Sequence, residues 1–353
     1  MNLLKRSVKI IKKYQAETGA NIASPNLTVY RYSWFRDNSW IAYAMSLSGE
    51  IRSAERFHDW ASSVIIKNEK KILKAIDKSK KGIPIGKDFI HARYTIYGNQ
   101  TEVKWNNLQF DGLGVWLWSI SNHMRLTKKQ KRTWIKAAGL ICDYLSVLWK
   151  TPCYDLWEEN PKKIYTTSLA SIYGGLLSFS EFFPQKKLKN TCKKIKDFVL
   201  RNNVYDGRLI KYVGSKKIDA SLIMCSIPFN LLTANSPIMK KTVSKIVKDL
   251  KVTKGLGRYN HDDYYGGGEW IILTCWLGLY YLEIGEIKHA TDILKWVENQ
   301  ADKNKYLPEQ INPVDNKSYI KWKNKQGPPA NPLLWSHAMY ILLNDKIKRI
   351  KKG

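Results

Sequence analysis

The chain has 353 residues with 59 Lys and Arg against 30 Asp and Glu, a net charge of +29, and 44% hydrophobic content with 14 Trp and 20 Tyr. That composition is rich enough in apolar residues to exclude a disordered chain, and the basic residues lie scattered along what read as solvent-facing helices (Lys70-Lys71, Lys186-Lys187, Lys193-Lys194, the tail from Lys346 to Lys352) rather than interleaved with aromatics. Nucleic-acid binding is therefore not expected as the main role.

In chain order, residues 3–16 place Leu4, Val8, Ile11 and Tyr14 at helical spacing, giving an amphipathic helix with a basic outer face. A Gly/Pro/Asn loop (Gly19 to Asn26) leads to the aromatic run Tyr30-Arg31-Tyr32-Ser33-Trp34-Phe35-Arg36-Asp37, then to a helix over 38–47 that Gly49 stops. A helix over 53–76 precedes an irregular stretch, 80–105, ending at Trp105-Asn106-Asn107-Leu108-Gln109-Phe110-Asp111-Gly112. Helices to about Asn122 and over 128–149 follow, then the acidic loop Tyr154-Asp155-Leu156-Trp157-Glu158-Glu159. Further helical segments are read at 165–181, 186–202, 219–225 (short), 237–250, 269–283, 286–301 and 332–345.

These are about twelve helical segments with little strand, and long connections alternate with short ones. The long ones carry Trp, Tyr, Arg, Asp and Glu. This suits helical hairpins with one functional end, and the absence of a fixed period of about 34 or 40 residues argues against a repeat array. No Pro/Gly/Ser linker divides residues 1–353, so a single domain closed into a toroid is expected.

The five cysteines are odd in number and lack CxxC spacing, which fits free thiols in a reducing compartment and no metal site. The longest apolar run, Trp270 to Leu282, is 13 residues, short of the roughly 20 that span a bilayer. A signal peptide is not seen at the N-terminus. The expectation is a soluble, cytoplasmic protein with no cofactor and no membrane partner.

The chemistry-bearing residues gather on the long connections: Arg36, Asp37, Trp105, Asp111, Asp155, Trp157, Glu158, Glu159, Arg258 and Glu309. Arg36-Asp37 also reads as a plain helix start, with Asp favoured at the positive end of the macrodipole. As a set they suit a sugar. Arg and carboxylate groups bind vicinal hydroxyls through charge-assisted hydrogen bonds, and a carboxylic acid kept protonated near neutral pH beside an aromatic serves as a general acid. No GxSxG, HExxH, P-loop or GxGxxG pattern competes. Gly266-Gly267-Gly268 lacks the Lys-Ser/Thr of a phosphate loop and reads as a helix-entry turn. Glu269 is explained by the macrodipole of the helix it opens and is not expected in the chemistry.

Seven blocks in order carry a resemblance. They are Gly19-Ala20-Asn21-Ile22-Ala23-Ser24-Pro25; Tyr30 with Trp34-Phe35-Arg36-Asp37; Trp105 with Gln109-Phe110-Asp111-Gly112; Tyr154 to Glu159; Gly257-Arg258-Tyr259; Pro308-Glu309-Gln310; and Trp335-Ser336-His337. Together the sequence resembles the glucoamylase-type inverting glycosidases of glycoside hydrolase family 15. The resemblance implies an all-α (α/α)6 barrel, with Glu158 as general acid and Glu309 as general base. It implies Glu159, Arg36, Asp37 and Arg258 on sugar hydroxyls, Trp105 and Trp157 lining the pocket, and Tyr30 at its floor. Inversion needs the two carboxyls roughly 6.5–9.5 Å apart.

The implied substrate is a short α-glucan or maltooligosaccharide cleaved from its non-reducing end to release β-D-glucose. Trehalase, isomaltase and glucodextranase activities are the family alternatives, and a non-catalytic glucan-binding regulatory barrel is the alternative of another class. No N-terminal β-sandwich or starch-binding domain is expected within these residues, and the sequence does not give an oligomeric state.

Overall fold

Burial sorts the helices into two kinds. The computed structural model describes residues 2–101 and 103–351, so Lys352 of the basic tail lies outside the described residues. Five helices are buried along most of their length: α2 (Phe35–Leu47), α5 (Asp111–Thr127), α7 (Thr166–Ser180), α10 (Ile271–Glu283) and α13 (Leu334–Ile350). Helices apolar on all sides belong in an interior. Six others bury a single stripe: α1 (Leu3–Lys13), α3 (Ile51–Lys67), α6 (Arg132–Leu148), α8 (Lys186–Asn202), α9 (Pro237–Leu250) and α11 (Ile287–Asn299).

The buried elements close a ring. α2 packs on α5, α5 on α7, α7 on the 3-10 segment Ala220–Cys225, that segment on α10, α10 on α13, and α13 back on α2. The outer elements pack against this ring, α1 on α13, α3 on α2, α6 on α3 and α5, α8 on α7, α9 on the 3-10 segment and α11 on α10. Inner and outer positions alternate along the chain, six of each. This is the expected (α/α)6 barrel, with one inner position held by a six-residue 3-10 turn.

Two inner helices touch backbone to backbone. A Cβ on Gly114 of α5 would meet the Ser171 carbonyl oxygen of α7 at 2.4 Å, and one on Gly175 would meet the Gly114 oxygen at 2.4 Å, so only glycine permits this approach. A cluster of aromatic rings joins the inner elements. Trp40 lies 5.1 Å from Trp118, 6.2 Å from Phe229 and 5.9 Å from Trp276, and Trp276 lies 5.7 Å from Trp335. Part of the aromatic excess thus serves packing.

Two helices stand outside the ring. The stretch read as one helix over 53–76 is broken at Asn68, whose N–H bonds back to α3 while its carbonyl accepts from Ile72; the second piece, α4 (Glu69–Lys80), packs on α6. The other, α12 (Asn316–Gln326), is an element that the sequence reading lacks, because its apolar residues form no 3.6-residue stripe and none is buried.

The long connections all precede inner elements (14–34, 81–110, 149–165, 203–219, 251–270 and 300–333), and short turns follow most of them. They therefore meet at the N-terminal ends of the inner helices, where the helix dipoles favour carboxylates. Three two-residue antiparallel ladders pin them: β1 (Ser33–Trp34) with β2 (Arg93–Tyr94), β3 (Val204–Tyr205) with β4 (Arg208–Leu209), and β5 (Glu269–Trp270) with β6 (Gln310–Ile311). All five cysteines are buried and unpaired. Among the described residues no helix is long and apolar enough to cross a membrane.

Candidate active site

The long connections enclose a pocket of about 430 Å3, and all nine residues singled out as site residues line it: Tyr30, Arg36, Asp37, Trp105, Trp157, Glu158, Glu159, Arg258 and Glu309. It has a deep end and a mouth. Arg36, Asp37, Arg258, Glu309 and Trp335 are buried, whereas Lys104, Asn106, Asp263 and Lys325 are exposed.

Arg36 and Asp37 are not on a loop but in the first turn of α2, so the helix-start reading and the pocket reading hold together. The Arg36 guanidinium packs over Trp335 at 5.5 Å, donates to Gln109 Oε1 at 3.0 Å, and lies 3.5 Å from Asp111 Oδ2 and 3.4 Å from Asp37 Oδ2. Asp111 does not line the pocket; it orients Arg36 from behind. Burial pushes the Asp37 carboxyl up to about 6, against the pull of Arg36 and with the help of Glu158.

Glu158 sits at φ +68°, a left-handed conformation that costs a non-glycine residue energy and must be held by its surroundings. Asp155 does the holding. Its Oδ1 accepts from the Trp157 N–H at 3.1 Å and the Glu159 N–H at 2.8 Å, and its carbonyl accepts from the Glu158 N–H at 2.9 Å. The Asn106 amide donates to the Glu158 carbonyl at 2.7 Å. On the side chain, Glu158 Oε1 accepts from the Trp34 indole N–H at 2.7 Å and from Gln109 Nε2 at 3.1 Å. Trp105 forms the neighbouring wall, with the Arg93 guanidinium stacked over it at 3.7 Å.

A buried ammonium backs this acidic turn. Lys211 Nζ stands 3.3 Å from Asp155 Oδ2, 3.1 Å from Asp219 Oδ2 and 3.8 Å from Glu159 Oε2. Burial works against its charge, but the three carboxylates outweigh that and hold Lys211 above the usual lysine range. One ammonium cannot neutralise them all, and burial pushes the Asp155 carboxyl up to about 7. Asp219 in turn accepts from the Trp157 indole N–H at 3.0 Å, fixing that ring. Glu159 accepts from the Tyr259 hydroxyl at 2.6 Å and pairs with Arg258 at 3.5 Å. Arg258 is gripped by both oxygens of Asp262 and lies among the rings of Trp157, Tyr264 and Trp270.

Glu309 is fixed from a different direction. The Tyr30 hydroxyl donates to its Oε1 at 3.0 Å, and Tyr30 is itself 2.8 Å from the Tyr264 hydroxyl. Burial pushes the Glu309 carboxyl up to about 7, with Tyr30 and Arg258 pulling the other way and Asp37 adding to the rise. Glu158 and Glu309 thus have separate partners, and Asp37 is electrostatically coupled to both.

Glu269 lies in β5, ahead of α10, so the macrodipole is not its main role. Its Oε1 accepts from the backbone of Thr253, Lys254 and Gly255 and from the Thr253 hydroxyl, and Asn312 donates to Oε2. It does not line the pocket. The sequence reading left out Trp34, Gln109, Tyr264, Trp270, Trp322, Trp335 and Lys211 as site residues. Trp34, Gln109 and Trp335 fall inside blocks already noted for their order. Lys211 stands alone in sequence, and only the fold brings it under the acidic turn.

Residues 1–290 match the model of the glycosyl hydrolases family 15. The chain belongs to this family and is a glycoside hydrolase. Over 98% of its length it is 33% identical to an isomaltose glucohydrolase of Kribbella flavida, covering 92% of that protein. It is 25% identical to trehalase 1 of Sulfolobus acidocaldarius over 90% of its length but spans only 56% of that enzyme. Among solved structures, a wild-type glycosidase at 33% identity superposes with a TM-score of 0.94, covering 98% of this chain and 96% of that one. A variant described as a glycosidase in complex with glucose fits equally, at a TM-score of 0.94 and 32% identity, with the same 98% and 96% coverage. The bacterial glucoamylase complexed with acarbose, at 20% identity and a TM-score of 0.75 over 98% of this chain and 55% of that one, shares the fold.

Proposed function

We propose that this family 15 enzyme is an exo-acting, inverting α-glucosidase that releases β-D-glucose from the non-reducing end of short α-glucosides, with isomaltose first among them. The observation that carries the reading is the pair of carboxylates in one pocket, Glu158 held by Trp34 and Gln109 and Glu309 held by Tyr30. At about 430 Å3 the pocket is at the small end of ligand sites and suits a short glucoside rather than a long chain crossing a cleft. The likeness to a protein named for isomaltose supports placing that disaccharide ahead of 1,4-linked maltooligosaccharides.

In this reading the terminal glucose enters the deep end, its hydroxyls bound by Arg36, Asp37, Glu159 and Arg258, with Trp105 and Trp157 as walls and Tyr30 at the floor. Glu158 gives its proton to the glycosidic oxygen as the C1–O bond breaks. Glu309 takes a proton from the water whose oxygen bonds to C1 from the other face, and inversion follows. Burial suits the base, because a carboxylate stripped of water takes up a proton more readily.

The test is proton NMR of the anomeric signals during hydrolysis of isomaltose, maltose, maltotriose and trehalose in turn. β-Glucose appearing first supports the reading and ranks the substrates. α-Glucose appearing first overturns inversion, and no turnover of any α-glucoside overturns the function.

A further inference from the structure

α12 belongs to neither ring of the barrel and buries none of its residues, yet it is fastened at both ends to the turn at 264–267. At its N-terminal end the Gly266 carbonyl accepts from the N–H groups of Val314 and Asp315 at 2.9 and 3.0 Å. This approach requires glycine, since φ is +77° and a Cβ would meet the Asp315 oxygen at 2.4 Å. At the C-terminal end the Tyr265 hydroxyl donates to the Gly327 carbonyl at 2.8 Å, and in the middle of the helix Lys321 pairs with Asp263 at 3.3 Å. A helix that contributes nothing to the core is thereby held firmly against the pocket.

What it brings there is Trp322, with Lys325 and Gln326 beside it. The Trp322 ring meets Tyr264 edge to face at 5.0 Å, and the Lys325 ammonium lies 4.6 Å from its centroid. The indole N–H is buried and has no partner among the described residues, so the part of the half-buried ring open to the pocket is carbon. The deep end offers charged donors and acceptors; Trp322, with the Lys325 ammonium over its ring, adds half-buried ring carbon to the lining. The C–H face of a pyranose stacks on such a surface, and its hydroxyls stay in water.

We propose that Trp322 is the platform for the leaving-group sugar, so that this enzyme selects α-glucosides whose aglycone is itself a pyranose. The proposal rests on the glucosidase reading above. No residue of α12 is buried, so truncating Trp322 removes no core side chain; Trp322→Phe keeps an aromatic ring against Tyr264, which stands behind Tyr30 and Glu309.

The experiment compares kcat/KM for the best-cleaved disaccharide with kcat/KM for α-D-glucosyl fluoride, whose leaving group has no ring to stack. In Trp322→Ala the disaccharide loses about tenfold or more, the fluoride less than about twofold, and Trp322→Phe recovers most of the disaccharide rate. A parallel fall on both substrates, no fall on either, or a wild type that cleaves the fluoride but no disaccharide overturns the platform and leaves the glucosidase reading standing. A wild type inactive on the fluoride and on every disaccharide removes both.

Discussion

Lys211 holds its ammonium 3.3 Å from Asp155 Oδ2 with only 8% of its side chain exposed, and through Asp155 it supports the turn that aims Glu158. Removing one partner of a buried ion pair typically costs about 3–5 kcal/mol, because the other charge stays behind uncompensated. Lys211→Met should therefore lower the urea midpoint strongly. It should also depress kcat more than it raises KM in the fraction that folds, since the turn carrying Glu158 loses its backing. Urea melts and steady-state kinetics check this. Full stability, or intact kcat in a destabilised protein, would separate Lys211 from the positioning of Glu158.

Glu158→Gln and Glu309→Gln should each cut kcat on a disaccharide by about a hundredfold to ten-thousandfold, the usual reach of proton transfer by a side chain, with circular dichroism unchanged. The two roles part on α-D-glucosyl fluoride. Fluoride departs with little help from a general acid, so Glu158→Gln should recover much of its rate there and Glu309→Gln should not. Equal recovery by both variants would contradict the assignment of acid and base.

The barrel was legible because each ring position repeats one local rule. A helix buried on all sides, such as α10, shows an unbroken apolar run, and its outer partner α11 shows a stripe. The short 219–225 segment was also legible, though not that six residues of 3-10 turn would fill a whole inner position. α12 was not, since periodicity detects burial and α12 buries nothing. Its signals lay in capping instead: Asp315 accepts from Lys317 and Ser318, and Gly327 ends the helix. In the site, residues adjacent in sequence could be read as blocks. Lys211 and Tyr264 could not, because their meaning comes from partners 56 and 234 positions away.

Glu269 should behave as a structural carboxylate. Its bonds close the 253–255 loop, which leads to Arg258, and anchor Asn312. Hydrogen bonds to a buried charge contribute about 1.5–3 kcal/mol each, and losing the acceptor strands several donors at once. Glu269→Ala should lower Tm by several degrees, whereas Glu269→Gln should keep kcat within about tenfold of wild type at a temperature well below its own Tm. A loss in Glu269→Gln as deep as that of Glu309→Gln, with Tm unchanged, would place Glu269 in the chemistry.

Glu309 ties activity to pH and stability in opposite senses. As the proposed general base Glu309 must be ionised, and burial pushes its carboxyl up to about 7, so kcat/KM should rise with pH through that region. The Tyr30 hydroxyl stabilises the carboxylate, so in Tyr30→Phe the same limb should move to higher pH. Stability runs the other way. Between about 4.5, the ordinary value, and about 7 the folded state holds a proton that the unfolded chain has released. Unfolding is therefore favoured increasingly as pH rises through this window, to a limit of about 3 kcal/mol. Glu309→Gln removes the titrating group and should melt above wild type at pH 8, with the difference shrinking toward pH 5. Thermal melts at the two pH values decide it, and a gap independent of pH would show that burial of Glu309 carries no such cost.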